Sequence, residues 1–199
     1  LRFEEIQCVV RIVAGFGVRK VRITGGEPLL RRDLSQLITM LTQIKGVELA
    51  LTTNGALLPE QAQALADAGL KRVTVSLDSL DDKTFRAMND ADFPVADVLD
   101  GIEAAAVAGL TPIKINAMVQ RGVNEDSAVE LARYFKGSGH IVRFIEFMDV
   151  GMTNNWRPED VCVGADIVER ITAEFPAEPV SPAYRGEVAK RWRYTDGEG

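Results

Sequence analysis

The stretch Ala68-Gly69-Leu70-Lys71-Arg72-Val73-Thr74-Val75-Ser76-Leu77-Asp78 decides the fold, because a helical pattern stops in it and a β-branched strand begins. Gly69 stands just past the helix, where a left-handed residue closes the last turn, and Leu70 supplies the apolar contact that accompanies such an end. The same arrangement recurs at Ala108-Gly109-Leu110, ahead of a strand from Pro112 to Val119, so one supersecondary unit is used repeatedly. Working outward, strands are expected near Lys20 to Thr24, Glu48 to Thr52 and Ile141 to Phe147 as well. Between them, Phe3, Ile6, Val9, Val10 and Val13 form an amphipathic pattern ending at Gly15 and Gly17. Leu34, Leu37, Ile38, Leu41 and Ile44 follow helical spacing behind Asp33 as a cap, and Pro59 suits a first helical position before Ala62 and Leu65. Helices are also expected over Val95 to Ala108, Ser127 to Phe135 and Ala165 to Phe175. Strict alternation of strand and helix implies an α/β protein with a parallel sheet, either open and doubly wound or a (β/α) barrel.

Alternation within the strands selects between these. One face of each is aliphatic, while the other carries Arg22 and Thr24, Thr52 and Asn54, Thr74, Ser76 and Asp78, Lys114, Asn116 and Met118, then Glu146 and Met148. In a doubly wound sheet both faces are covered and strands read as continuous apolar runs. A polar face on every strand instead predicts a curved sheet around a ligand-filled interior. The expectation is a partial (β/α)6 barrel of the TIM type, its first strand and C-terminal segment missing, with ligands at the C-terminal strand ends. Residues 1–175 would form this core and 176–199 the start of a C-terminal extension.

Composition sets outer limits. The 199 residues are 46% hydrophobic and 26% charged, ordinary for a soluble domain with one core. No apolar run approaches the roughly 20 residues that cross a bilayer, and no signal peptide opens the chain, so a cytoplasmic protein without membrane contact is expected. The net charge of -6 argues against a nucleic-acid surface. Arg19, Lys20, Arg22, Arg31 and Arg32 nevertheless face only Glu27 locally, a basic island suited to an anion or an ordinary solvated turn. Cys8 and Cys162 lack metal-ligand spacing and are expected to be buried, without a disulfide. His140 precedes a strand, at the end of a barrel opposite the chemistry, and is assigned no role.

Thr24-Gly25-Gly26-Glu27-Pro28 joins a strand to a helix. Its glycines let backbone N–H groups approach a ligand, and its carboxylate suits an ammonium group, although such a turn by itself is ordinary loop chemistry. Together with Val21-Arg22-Ile23 before it, Leu29-Leu30-Arg31-Arg32-Asp33 after it, Leu51-Thr52-Thr53-Asn54-Gly55 and Val75-Ser76-Leu77-Asp78-Ser79, the chain resembles the radical S-adenosylmethionine superfamily. Ile113-Lys114-Ile115-Asn116 and Arg143-Phe144-Ile145-Glu146-Phe147-Met148-Asp149-Val150-Gly151 make it similar, within that superfamily, to the GTP 3′,8-cyclase family.

The resemblance implies that Gly26 and Glu27 receive the methionine part of S-adenosylmethionine, that Ser76 binds the same cofactor and that Met148 packs on its adenine. Asn116 and Asn54 are further candidates for cofactor or ribose contacts. Arg22, Thr52 and Lys114 match positions that bind GTP, and interior cations are costly unless an anion compensates them. Blander roles stand beside these: Ser76 as barrel filler, Met148 as core, and Lys114 in a salt bridge with Glu146 or Asp78. The family reaction uses an electron from a cluster to generate a 5′-deoxyadenosyl radical, which takes hydrogen from C3′ of GTP before C3′ bonds to C8. Two [4Fe–4S] clusters serve such an enzyme, with cysteine motifs that would fall before Leu1 and after Gly199, the run Tyr184 to Gly199 with Arg185, Lys190, Arg191 and Arg193 resembling the approach to the second. The chain would then be part of a longer enzyme, or a degenerate relative, and not catalytic alone. Implied partners are GTP, an electron donor and a molybdopterin-pathway enzyme that accepts the product; a homodimer is compatible with the sequence. Rival readings are an aldolase using Lys114 as Schiff-base nucleophile, a non-catalytic nucleotide-binding barrel, and another radical enzyme such as a peptide modifier.

Overall fold

Repeated helix exits organise the chain. In the computed structural model, which describes residues 1–90, 92–151, 156–182, 184 and 186–198, helix α1 (Phe3–Gly15) ends with Gly17 N–H donating to Ala14 O and Val18 N–H to Val13 O. Helix α3 (Leu58–Asp67) ends identically, through Gly69 to Ala66 and Leu70 to Leu65. So does α5 (Val95–Val107), through Gly109 to Ala106 and Leu110 to Ala105. All three glycines have positive φ, as this paired closure of a helix end requires. Leu70 and Leu110 are then buried and direct the chain into the next strand.

The strands are β1 (Lys20–Ile23), β2 (Glu48–Thr53), β3 (Arg72–Ser76), β4 (Lys114–Val119) and β5 (Ile141–Glu146), parallel and in sequence order. Helix α2 (Leu34–Thr42) links β1 to β2, and α6 (Ser127–Phe135) links β4 to β5. Between β3 and α5 lies α4 (Asp82–Asn89), a short helix that the apolar periodicity did not announce; its cap Asp81 accepts from Thr84 N–H at 2.8 Å. After β5 come α7 (Gly164–Glu174) and an antiparallel pair, β6 (Ala177–Val180) with β7 (Arg191–Tyr194), within residues expected only to be polar extension. Tyr194 packs edge-on against Phe175, and Lys136 reaches both Asp196 and Glu198 at 2.6 Å, fastening this hairpin to α6 and α7. Asp33 does precede α2, but in a left-handed conformation with no side-chain cap bond. Pro59 is the second helical residue, not the first.

Leu49, Leu51, Val73, Val75, Ile113, Ile115 and Ala117 share one side of the sheet and are buried among Leu37, Ile38, Leu41, Leu58, Leu65, Val98 and Ile102 of the helices. A second cluster joins Val119 to Ala128, Ala132, Ile167 and Ile171, where Cys162 is buried as expected. Cys8 is the exception to that expectation: it lies on the exposed side of α1. The five-stranded sheet is a sector of a barrel and does not close. No described helix is long and apolar enough to cross a membrane.

Close approach of α5 to the sheet depends on Gly101, where a β-carbon would collide with the Gly55 carbonyl oxygen. Backbone cannot yield there as a flexible side chain would. Gly101→Ala is therefore expected to destabilise the fold by about 1–3 kcal/mol, the usual cost of overpacking, measured as a lower urea midpoint with an unchanged m-value.

Candidate functional site

Strand register determines which polar residues meet. Thr52, Thr74 and Lys114 pair across β2, β3 and β4 at one level, and Ser76, Asn116 and Arg143 pair across β3, β4 and β5 at the next level toward the strand C-termini. Residues paired in this way project from the same face, the one opposite the buried helices. The three residues matched to GTP thus converge: Arg22 of β1 donates from Nη1 to Thr52 Oγ1 at 2.6 Å and to Thr74 Oγ1 at 3.1 Å. Ser76 and Asn116, matched to the cofactor, lie one level above.

The register also corrects the polar face of β5. Glu146 pairs with Val119 and so belongs to the helix-covered side, where its Oε1 accepts from Gly164 N–H at 2.6 Å at the start of α7. Arg143, which the alternation did not assign to the polar face, is on the ligand-facing side. Glu146 is the last residue of β5 and Met148 lies two residues beyond it, while Phe144 and Ile145 are both apolar, so alternation along this strand does not fix its parity. Met148 is 55% exposed.

Lys114 is half-buried on the inner face. Burial lowers its pKa below the ordinary 10.5, and Arg143, Lys20, Arg72 and Arg22 lower it further, so the charges around it are all positive. Of these, Arg72 is balanced by Glu48 at 2.7 Å. Among the described residues neither Arg22, Arg143 nor Lys114 has a carboxylate partner, which removes the salt bridge weighed for Lys114. The sheet thus presents a cationic face whose natural complement is a polyanion.

The nearby acids are engaged elsewhere. Glu27 Oε1 accepts from Thr53 Oγ1 at 2.6 Å and Leu29 N–H at 2.9 Å, while Oε2 accepts from Asn54 N–H at 2.7 Å. Its carboxylate therefore ties the Gly25-Gly26 turn to the end of β2, leaving the turn's backbone to meet a ligand; Gly25 has φ of 141°, accessible to glycine. Asn54 accepts from Ala56 N–H in a turn of its own. Asn116 Oδ1 is buried without a hydrogen-bond partner among the described residues, which marks a place for a ligand donor such as a ribose hydroxyl. His140 stands just before β5, at the opposite end of the sheet. Arg185 lies outside the described residues.

Asp78 is 7% exposed and accepts from Met118 N–H at 2.7 Å, while Asn124 Nδ2 donates to both Asp78 O and Met118 O. Burial holds its carboxyl above the ordinary 3.8, partly offset by the bonds from Met118 and Asn89. Because folding favours the protonated form, the contribution of Asp78 to stability declines as pH rises from the unfolded value through the folded one. Asp78→Asn keeps an acceptor for Met118 without a charge. It is expected to be at least as stable as wild type at neutral pH and to lose that decline, whereas Asp78→Ala strands a buried N–H and costs about 1–3 kcal/mol. Urea unfolding at acidic and neutral pH measures both.

A curated relative from Acidothermus cellulolyticus, named GTP 3′,8-cyclase, is 54% identical over 100% of this chain and 55% of its own length. Another of the same name from Xanthomonas axonopodis pv. citri is 52% identical over 100% of this chain and 60% of its own. The chain thus spans little more than half the length of these relatives. Among solved structures, methylornithine synthase superposes with a TM-score of 0.68 at 15% identity, covering 86% of this chain and 52% of that one. A structure of anSMEcpe with bound AdoMet and a Cp18Cys peptide gives 0.66 at 18%, covering 87% and 52%. At these identities the likeness establishes the fold. The Radical SAM superfamily profile matches residues 1–135, and the chain belongs to that superfamily.

Proposed function

We propose that this chain forms the cofactor- and nucleotide-binding surface of a GTP 3′,8-cyclase, which converts GTP to 3′,8-cyclo-7,8-dihydro-GTP in the first step of molybdenum cofactor synthesis. The observation that carries the proposal is the cationic level of the sheet: Arg22 anchored on Thr52 and Thr74, with Lys114 paired beside Thr74 and without a carboxylate partner among the described residues. A triphosphate offers the compensating charge. Arg143, one level above, extends the same surface.

S-adenosylmethionine fits the neighbouring level. The Gly25-Gly26 turn exposes backbone to an amino-acid head group, Ser76 and Asn116 face the same space, and the unpartnered Asn116 Oδ1 suits a ribose hydroxyl. Bound there, the cofactor supplies, together with an iron–sulfur cluster, the hydrogen-abstracting chemistry that reaction at an unactivated sugar carbon requires. Glu27 orients the turn that receives it, and Arg22 and Lys114 fix the phosphates so that the ribose is presented to the cofactor. Met148 would pack on the adenine. We place both [4Fe–4S] clusters outside this chain: Cys8 is exposed, Cys162 is buried, and among the described residues no three or more His, Cys, Asp or Glu side chains gather into a metal site. The hairpin of β6 and β7 begins a C-terminal extension in this scheme. An electron donor to the cluster and a pathway enzyme accepting the cyclised nucleotide complete a cytoplasmic reaction.

Calorimetric titration of GTP into this chain, with S-adenosylmethionine as second titrant, tests the reading. Lys114→Ala is expected to weaken GTP by about 10- to 100-fold, as loss of a close charge contact does. Equal binding by wild type and variant refutes the Lys114 assignment, and folded wild type that binds no GTP refutes the nucleotide reading. The free lysine has a lowered pKa and a bound anion raises it. GTP affinity is therefore full at pH values below that of the free lysine and falls as pH rises through the free value, which lies below 10.5. Lys114→Arg, charged throughout, should abolish that fall.

A further inference from the structure

We propose that Thr74 is a positioning residue for nucleotide binding, holding the Arg22 guanidinium in place without neutralising it; the inference rests on the nucleotide reading above. Thr74 is 3% exposed, so it is sealed from ligand and acts through its neighbour. Its Oγ1 accepts from Arg22 Nη1 at 3.1 Å while Thr52 Oγ1 accepts from the same nitrogen at 2.6 Å. Both N–H bonds of Nη1 are thereby directed at the sheet. Nε and Nη2 make no hydrogen bond among the described residues, which leaves one edge of the planar fork for a phosphate.

The choice of acceptor matters. Several other arginines are held by carboxylates, among them Arg72 by Glu48, Arg121 by Asp166, Arg133 by Glu174 and Arg170 by Asp126, while Arg19 and Arg31 donate to backbone carbonyls. Such partners fix a guanidinium and also cancel its field. Hydroxyls fix it and leave the full positive charge for an incoming anion. A β-branched side chain on a strand has few χ1 choices, so the Thr74 hydroxyl is itself held still, and its register with Thr52 and Lys114 sets Arg22 at the level of the lysine.

Three variants of the 199-residue chain test this, each titrated calorimetrically with GTP and with inorganic triphosphate, and each checked for folding by its urea midpoint. Thr74→Val removes the acceptor and is expected to weaken both ligands about 10-fold, the scale of a hydrogen bond to a charged group. Thr74→Asn restores a neutral acceptor and is expected to bind within about 3-fold of wild type. Thr74→Asp has nearly the same shape as asparagine but neutralises Arg22, and is expected to bind about 30-fold more weakly than Thr74→Asn. The added carboxylate also repels the anion directly, so the Asn and Asp pair is read together with Thr74→Val against Thr74→Asn, which isolates the acceptor without a change of charge. Wild-type affinity in Thr74→Val, or equal affinities for the Asn and Asp variants, overturns the role of Thr74 while leaving the nucleotide reading intact. If Thr74→Val does not fold, the Asn and Asp pair decides. Failure of the wild-type chain to bind either GTP or triphosphate overturns the nucleotide reading and this inference together.

Discussion

The register of five parallel strands is the constraint on which the rest depends. Thr52, Thr74 and Lys114 share one level because β2, β3 and β4 are offset by fixed amounts. A slip of one residue in any strand would turn its apolar side toward solvent and its polar side into the helices. The helices enforce the register from behind. Leu51, Val75 and Ile115 are fully buried against them, so each strand has one permissible phase. The ligand-facing side inherits its order from packing on the other side.

That inheritance explains how an acidic chain presents a basic surface. The net charge is -6, yet the inner face gathers Lys20, Arg22, Arg72, Lys114 and Arg143. Glu48 meets Arg72 near the base of the sheet. The remaining acids close by are held by backbone N–H groups: Glu27 by Leu29 and Asn54, Asp78 by Met118, Glu146 by Gly164. Each carboxylate joins a strand end to a turn or helix start and is thereby withdrawn from the cations. One set of bonds fixes the loops around the site and preserves its field.

Local rules made most of the fold legible. Glycine past a helix followed by a buried leucine is a short-range device, and at Gly69 and Gly109 the structure realises it with identical bond pairs. Strand positions follow from β-branched runs, and the polar side of β4 from clean alternation of Lys114, Asn116 and Met118 with Ile115, Ala117 and Val119. Where alternation was weak, on β5, the parity read for Glu146 was wrong and Arg143 went unassigned. Helix α4 was missed because it is short and mostly polar, with only Phe85 fully buried. The exposure of Cys8 could not be read from its residue type, since burial depends on which side of α1 a neighbour covers.

By itself the sequence determined the strand and helix alternation, the parallel sheet, the family resemblance and the residue types available to the site, because these rest on interactions within a few residues or on motifs that survive as text. Tertiary structure alone decided that Arg22 reaches across two strands to Thr52 and Thr74, that Glu27 is tied to Thr53 and Asn54 at the end of β2 and that Arg143 joins the cationic face. Those partners are separated by tens of residues, and their meeting is set by strand offsets that depend on the packing of every helix behind the sheet.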